Sequence, residues 1–154
     1  NSRLRRTVLT MNLEKIQEMW EADSRMDMDN LHDESVKIPQ LHQKYYTLYT
    51  TIKLLKAKST DTLAKTRLER YNYYSGKAPA EVYVEEPFPY KVRDKESMTM
   101  HLAADDRLTK IKLKLDYYDV MLEYLEDILK MLHNRGYQVK SAIDFLRFQA
   151  GMGM

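Results

Sequence analysis

The chain contains no cysteine among its 154 residues, which excludes a disulfide, a thiolate zinc site and a cysteine nucleophile. Glycine and proline are scarce, with four of each, and 31% of the residues are charged, a balance that favours long helices. No apolar run approaches the ~20 residues that a membrane-spanning helix requires. These absences predict an all-α protein with no membrane partner, long enough for one domain or one multi-helix subunit.

The motifs that commonly carry enzyme chemistry are missing as well. There is no GxxxxGK[ST] or GxGxxG loop, no GxSxG turn and no HExxH, and the four histidines share no metal-ligand spacing. The acidic stretch around Asp27 and Asp29 lacks the glycine and terminal glutamate of an EF-hand. Adjacent carboxylates such as Glu85 and Glu86 are typical of solvated charges. We therefore expect no enzymatic activity, no metal and no cofactor.

The first ten residues, NSRLRRTVLT, are basic but lack the sustained apolar segment and cleavage site of a signal peptide. Because Met11 opens a sequence that resembles a start, residues 1–10 are interpreted as an artificial or a disordered extension. The spacing of apolar residues then predicts a short amphipathic helix over 12–22. Its tryptophan, Trp20, is expected in a core or a subunit contact.

Two apolar seams predict long helices. The first follows an acidic linker over 23–33 and is expected to begin near Pro39, a residue suited to a first helical turn. The polar residues 59–62 predict a kink or a stop, and Gly76 is expected to end the segment. The heptad positions of this seam are Leu41, Tyr45, Leu48, Ile52 and Leu55.

The second seam steps alternately by three and four residues and predicts an interfacial helix over 108–132, stopped by Gly136. A last short helix is predicted over 139–150. Two long and two short helices cannot easily cover every apolar seam in a monomer, so we infer a helical homo-oligomer. The expected interface residues are Ile111, Leu115, Tyr118, Leu122, Leu125, Leu129, Leu132, Ile143 and Leu146.

Residues 77–100 differ in character from both seams. Their three prolines exclude a continuous helix. Val82 and Val84 alternate with polar neighbours, so one short strand or an extended arm is predicted. The segment is longer than an ordinary connection, and we expect a mobile loop or an arm that lies on a neighbouring subunit.

Charge is zoned along the chain although its formal net value is only +2. Residues 11–52 hold eight acids and four bases, residues 53–77 two acids and seven bases, and residues 78–106 seven acids and three bases. This zoning suggests a localised anion-binding surface, or a basic face that pairs with acids of a neighbour. A solvated helix face accounts for the pattern equally well.

On a helix, the cations of residues 53–77 lie within reach of a ribbon that suits a phosphate backbone. Tyr73 and Tyr74, near its end, are candidates either to stack bases or to pack against the helix end. No zinc finger, helix-turn-helix or RNP motif is present, so sequence-tolerant contact with single strands is expected of any nucleic-acid binding. The alternative is a non-enzymatic coiled-coil assembly or adaptor protein that binds acidic protein partners.

Short motifs in a fixed order carry a resemblance to a known family. Residues 64–67 (AKTR) are followed by residues 73–77 (YYSGK). Residues 134–137 (NRGY) are followed by several two-residue elements, up to Gly151, that match the pattern of the same family. In this order, and with helices predicted throughout, the chain resembles the UvsY recombination mediator proteins of tailed phages. The opening MNLE at Met11 is similar as well.

The resemblance implies a ring-like homo-oligomer, a hexamer or heptamer, without catalytic activity and located in the cytoplasm of the infected bacterial host. It implies single-stranded DNA as the ligand. It also implies that the protein helps to load a RecA-like phage recombinase onto DNA covered by the phage single-strand-binding protein. Residues 11–100 are then expected to form an N-terminal helical region with the DNA-binding helix and loop. Residues 101–154 are expected to form a C-terminal oligomerisation region.

A Lys-x-Arg element is associated with DNA binding in this family, and by motif it falls on Lys65 and Arg67. An alignment without a gap places Arg70 at the arginine position instead, so Arg70 is retained. The predicted DNA-binding residues are Lys56, Lys58, Lys65, Arg67, Arg70 and Lys77.

Overall fold

The computed structural model describes residues 11–152, and the predicted extension over 1–10 lies outside these residues. Of the described residues 82% are helical and none lies in a strand, so the all-α prediction is confirmed. No helix among them is both long and apolar enough to cross a membrane. The helices are α1 (Leu13–Asp23), α2 (Leu31–Tyr74), α3 (Ala80–Glu85), α4 (Lys95–Ala103) and α5 (Asp106–Met152).

Helix α1 confirms the short helix predicted at the start of the described chain. The side-chain oxygen of Asn12 caps it by accepting a hydrogen bond of 2.8 Å from the amide of Lys15. Ile16 and Trp20 are its buried residues. The ring of Trp20 packs edge-on against Tyr45, with 5.6 Å between ring centroids, so the tryptophan belongs to the core of this chain.

Helix α2 begins earlier than predicted, and the linker before it is correspondingly short. It starts at Leu31, and Pro39 lies inside it, so a start near Pro39 is wrong. Two acids in the first turn, Asp33 and Glu34, favour the earlier start through the helix dipole. Ser35 is exposed, so water can bond the carbonyl oxygen that Pro39 leaves without a donor.

Helix α2 also continues through the polar residues 59–62, where a kink or a stop was predicted. The hydroxyl of Thr60 donates to the carbonyl oxygen of Lys56 at 2.9 Å, and Thr62 donates likewise to Lys58 at 3.1 Å. Because these hydroxyls bond inside the helix instead of capping a new one, the predicted stop is wrong.

The end of α2 agrees with the prediction from Gly76. The helix ends at Tyr74, and Gly76 has a φ of 81°, in the left-handed region that favours glycine. The amide of Lys77 donates to the carbonyl oxygen of Asn72 at 2.8 Å and closes the turn. A Cβ atom at position 76 would approach the side chain of Lys91 to 3.0 Å, so space as well as backbone angle requires glycine here.

The proline-bearing segment is more helical than predicted. Val82 and Val84 lie in α3, so the predicted short strand is wrong. The hydroxyl of Tyr83 donates to the carbonyl oxygen of Tyr73 at 2.9 Å, which ties α3 to the end of α2. This tertiary contact outweighs the strand preference of the two valines. Helix α4 follows, with the side chain of Asp94 as its N-terminal cap.

Helix α5 is unbroken from Asp106 to Met152, so the predicted stop at Gly136 and the separate helix over 139–150 are both wrong. Gly136 has no positive φ, and it costs only about 1 kcal/mol relative to alanine inside a helix. Buried neighbours hold the helix on either side of it. Arg135 donates to the carbonyl oxygens of Asp23 and Ser24 at 3.0 and 2.9 Å, and Val139 is 3% exposed.

The chain forms two compact units, and both long helices contribute to each. One unit combines the residues up to Lys53 with those from Asp119 onward, and the other comprises Leu54–Tyr118. The core of the first unit contains Ile16, Tyr45, Ile52, Leu125, Ile128 and Leu132, each at most 2% exposed. The core of the second unit contains Met98, Leu102 and Leu108, against which Leu63, Tyr74 and Val92 pack.

Candidate nucleic-acid interface

The unit formed by Leu54–Tyr118 contains all six predicted DNA-binding residues. It carries thirteen basic and ten acidic residues, whereas the described part of the other unit carries nine basic and thirteen acidic residues. The formal charges are thus +3 and −4 at neutral pH. A polyanion is therefore attracted more strongly to the unit that holds the predicted site.

Lys58 and Lys65 lie on one exposed face of α2. They are seven residues apart, which brings their directions to within about 20° of each other on a helix. Lys65 pairs with Asp61 at 2.9 Å, and the hydrogen bond to Asp61 raises the pKa of the lysine. Since both partners are exposed, the pair is weak and a phosphate can compete for the lysine.

Lys56 and Arg67 lie on a different face of α2, roughly opposite to Lys58 and Lys65. Lys56 is half-buried, whereas Arg67 is exposed and its guanidinium makes no ion pair with another described residue. Arg67 and Tyr71 line a shallow depression of about 370 Å³, where Tyr71 is 43% exposed. The predicted cations therefore occupy two faces of the helix rather than one ribbon.

Arg70 differs from the other five because it is buried, with 8% of its surface exposed. Its Nε donates to Asp105 at 2.6 Å, and one terminal nitrogen donates to Glu86 at 3.4 Å. Its guanidinium lies 4.2 Å from the ring centroid of Tyr73. The side chain therefore joins the end of α2 to the segments that follow.

Asp105 is the buried partner of Arg70. Burial acts to raise the pKa of this carboxyl, but hydrogen bonds from Tyr74, the amide of Leu108 and Arg70 outweigh it, and the pKa is lowered. The hydroxyl of Tyr74 donates to Asp105 at 2.5 Å. Burial and this hydrogen bond raise the pKa of the tyrosine. Asp105 is thus a charged acceptor that holds two side chains of α2.

The rings of Tyr73 and Tyr74 are covered by neighbours. Tyr73 is 6% exposed and stacks on Tyr83 with 5.4 Å between centroids and 14° between planes. Tyr74 packs against Phe88 and His101 at 5.4 and 5.2 Å. Packing therefore accounts for both tyrosines. The nearby Tyr71, in contrast, is exposed.

Glu86 and Arg107 join this site, although the sequence analysis did not select them. The carboxylate of Glu86 accepts hydrogen bonds from both Arg70 and Arg107. A cavity of about 320 Å³ beside them is lined by Arg70, Arg107 and Lys77, so three cations share its wall. Arg70 and Lys77 belong to the predicted basic stretch, whereas Glu86 and Arg107 lie 16 and 37 residues beyond Arg70, so no sequence spacing would have revealed their contacts with it.

The other unit carries an aromatic row that the sequence analysis also missed. On α2, the ring of Tyr46 is stacked with those of His42 and Tyr49 at 5.7 and 6.4 Å between centroids. Lys53 lies 5.6 Å from the Tyr49 ring, and Tyr46 is 48% exposed. Their spacing of four, three and four residues along a helix is the signal that would have identified this row.

The predicted interface residues are largely used inside the chain. Tyr118, Leu122, Leu125 and Leu132 are buried, and Ile111, Leu115, Leu129 and Ile143 are half-buried. Leu146 is 51% exposed near the end of α5, beside Phe148 at 63%. Within residues 11–152 no group of three or more histidine, aspartate or glutamate side chains is placed to hold a metal ion.

The fold and the site together define an all-α protein in which one long helix exposes cations, and such a surface suits the binding of a polyanion. The sequence model of the family described as "Recombination, repair and ssDNA binding protein UvsY" matches residues 19–152. The chain therefore belongs to the UvsY family. Recombination protein uvsY of Enterobacteria phage T4 is 27% identical over 144 residues, covering 92% of this chain and 99% of that protein.

Solved structures agree with the family at the level of the fold. One crystal structure of the bacteriophage T4 recombination mediator protein UvsY superposes with a TM-score of 0.79 at 24% identity, covering 91% of this chain and 98% of the other. A second crystal form superposes with a TM-score of 0.77 at 23% identity and covers 90% and 99%. The continuous α2 and α5 therefore belong to a known all-α fold.

Proposed function

We propose that the chain is a recombination mediator that binds single-stranded DNA through exposed cations of α2 and the turn after it. The observation that carries this proposal is the family match over residues 19–152, which includes the whole of α2. Lys58, Lys65, Arg67 and Lys77 are exposed there, so their charges are available to phosphates. Lys56 is half-buried on the face of α2 that also carries Arg67.

Arg67 is the central residue of the proposed surface. Its guanidinium has no competing carboxylate among the described residues and can hold a phosphate through two parallel hydrogen bonds. The neighbouring ring of Tyr71 offers an exposed face to a base. We assign Arg70 a supporting role, because its hydrogen bond to Asp105 holds the end of α2 in place.

The proposed mechanism needs no catalysis. A ring of subunits, in which the exposed end of α5 provides contacts, would present several weak sites at high effective concentration. A DNA strand held along these sites would follow a distorted path. This distortion would weaken the binding of a phage single-strand-binding protein to the same DNA. The exposed bases would then be offered to a RecA-like recombinase in the cytoplasm of the infected host. The bacteriophage T4 relative with this fold is a recombination mediator protein.

The proposal is tested by measuring the affinity for an oligothymidylate at several salt concentrations. If each site neutralises about three phosphates, the logarithm of affinity should fall with the logarithm of salt with a slope of about −2. Arg67→Ala should lower the affinity and flatten this slope by about 0.7, the value for one phosphate on a single strand. The absence of binding at low salt would contradict the mediator function and favour the acidic-protein adaptor.

A further inference from the structure

The carboxylate of Glu86 lies where two guanidinium groups converge. One of its oxygens accepts from Arg70 at 3.4 Å, and the other accepts from Arg107. Arg70 is also bound to Asp105, so Glu86 is not its sole counter-ion. Arg107 has no second carboxylate partner among the described residues. Glu86 therefore neutralises a cation that would otherwise face solvent.

The surroundings of this ion pair are open to a ligand. The side chains of Arg107 and Glu86 are 55% and 40% exposed. Arg70, Arg107 and Lys77 line the adjacent cavity of about 320 Å³, and Lys77 is exposed. Glu69 also lines it, but it forms no ion pair with these cations. A ligand can thus reach Arg107 from the side of Lys77, with the buried Arg70 forming part of the cavity wall.

The main chain at Glu86 is held by hydrogen bonds separate from those of its carboxylate. Its carbonyl oxygen accepts from the hydroxyl of Tyr73 at 3.0 Å, and its amide donates to the carbonyl oxygen of Val82 at 2.9 Å. Rotation of the side chain alone would therefore release Arg107 without displacing α3. Both partners of the Arg107–Glu86 pair are exposed, and such pairs contribute little to stability, so the release costs little.

We propose that this cavity is a phosphate-binding site for single-stranded DNA and that Glu86 occupies its arginines when no DNA is bound. A carboxylate and a phosphodiester offer similar oxygen pairs to a guanidinium, so one can replace the other. Lys77, on the open side, would contact the same or the next phosphate. This inference rests on the proposed function and adds Arg107 to its surface.

The test compares Glu86→Gln with Glu85→Gln. Both variants remove one negative charge at adjacent positions, but no arginine contact is made by Glu85, which is exposed. Oligothymidylate binding by Glu86→Gln should tighten about three- to fivefold, because no carboxylate then competes with a phosphate for the exposed Arg107. Glu85→Gln should change the affinity by less than about 1.5-fold in 0.15 M salt, where distant charges are screened.

A second variant identifies the group that Glu86 releases. Arg107→Ala in the Glu86→Gln background should abolish the gain, because this double variant lacks the guanidinium that the phosphate would bind. Equal affinities of Glu86→Gln and Glu85→Gln, or a gain that survives Arg107→Ala, would overturn the phosphate site while leaving the proposed function standing. If the unmodified protein bound no oligothymidylate, both proposals would be overturned.

Discussion

The guanidinium of Arg70 meets Asp105 and the ring of Tyr73 in a position that solvent hardly reaches. Asp105 is 4% exposed and has a second donor in the hydroxyl of Tyr74. Removing one partner of such a pair leaves a charge buried without compensation, which costs more than the pair itself contributes. Lys65 and Asp61 form a pair of similar length at the surface, where the same loss is small.

This contrast gives a prediction about stability. Arg70→Ala should lower the free energy of unfolding by about 3–5 kcal/mol, because Asp105 would remain buried and charged. Lys65→Ala, the matched control, should lower it by less than about 0.5 kcal/mol. Urea unfolding at one fixed protein concentration measures both. Equal effects of the two substitutions would show that the Arg70 pair does not stabilise the end of α2.

The lowered pKa of Asp105 predicts a loss of stability in acid. A carboxyl whose pKa is lower in the folded chain than its ordinary 3.8 stabilises the fold above that value. The contribution disappears as the pH falls through the folded pKa. The difference in unfolding free energy between the unmodified protein and Asp105→Asn should therefore be constant from pH 7 to about 5 and shrink below about pH 4. Asp106→Asn, at an exposed neighbour, is the control.

At the scale of elements, local sequence signals located α1, α2 and α5 but not α3 and α4, and they explain some helix ends and not others. Asn12, Asp94 and Gly76 act as caps or stops because each makes its contact within a few residues. Pro39 and Gly136 misled the prediction because tertiary packing and exposed positions allow both inside long helices. Local helix propensity is a weak guide to the position of a helix end where tertiary packing determines that position.

The candidate site likewise contains residues that the sequence predicts and contacts that it does not. Lys58, Lys65 and Arg67 lie at exposed positions of α2. The basic run indicated all three, and the resemblance to the family selected Lys65 and Arg67. The burial of Arg70 depends on Asp105, which is 35 residues away in the chain. The contact of Arg107 with Glu86 spans 21 residues. Such pairings arise only when the proline-bearing segment folds back on α2, so periodicity could not predict them.

Two glycines offer a matched prediction about the helices. Gly136→Ala should stabilise the protein by about 0.4–1 kcal/mol, because its backbone is helical and an added Cβ meets no atom within 4 Å. Gly76→Ala should destabilise it, since the φ of 81° is strained for alanine and the Cβ would crowd Lys91. Thermal unfolding followed by circular dichroism compares them. A stabilising Gly76→Ala would contradict the helix end described for α2.

At the scale of the whole molecule, the apolar residues that remain exposed are better candidates for subunit contacts than the residues of the heptad seam. Leu122 and Leu125 are buried inside one chain, so a charge there should unfold the chain itself and would not isolate a subunit contact. Leu146 and Phe148 lie at the far end of α5 and are more than half exposed. We therefore expect this end of the helix to carry the contacts of a homo-oligomer.

Leu146→Asp tests this expectation directly. A charge placed in an apolar subunit contact should shift the particle mass from light scattering towards that of the monomer. The helical circular dichroism should persist, because Leu146 is half exposed within the chain. Ser141→Asp adds the same charge at an exposed position that points roughly 140° away on α5, and it should leave the mass unchanged.

An intact oligomer with Leu146→Asp would place the subunit contacts elsewhere. Dissociation together with weaker oligothymidylate binding would link assembly to affinity, since single sites lose the advantage of high effective concentration.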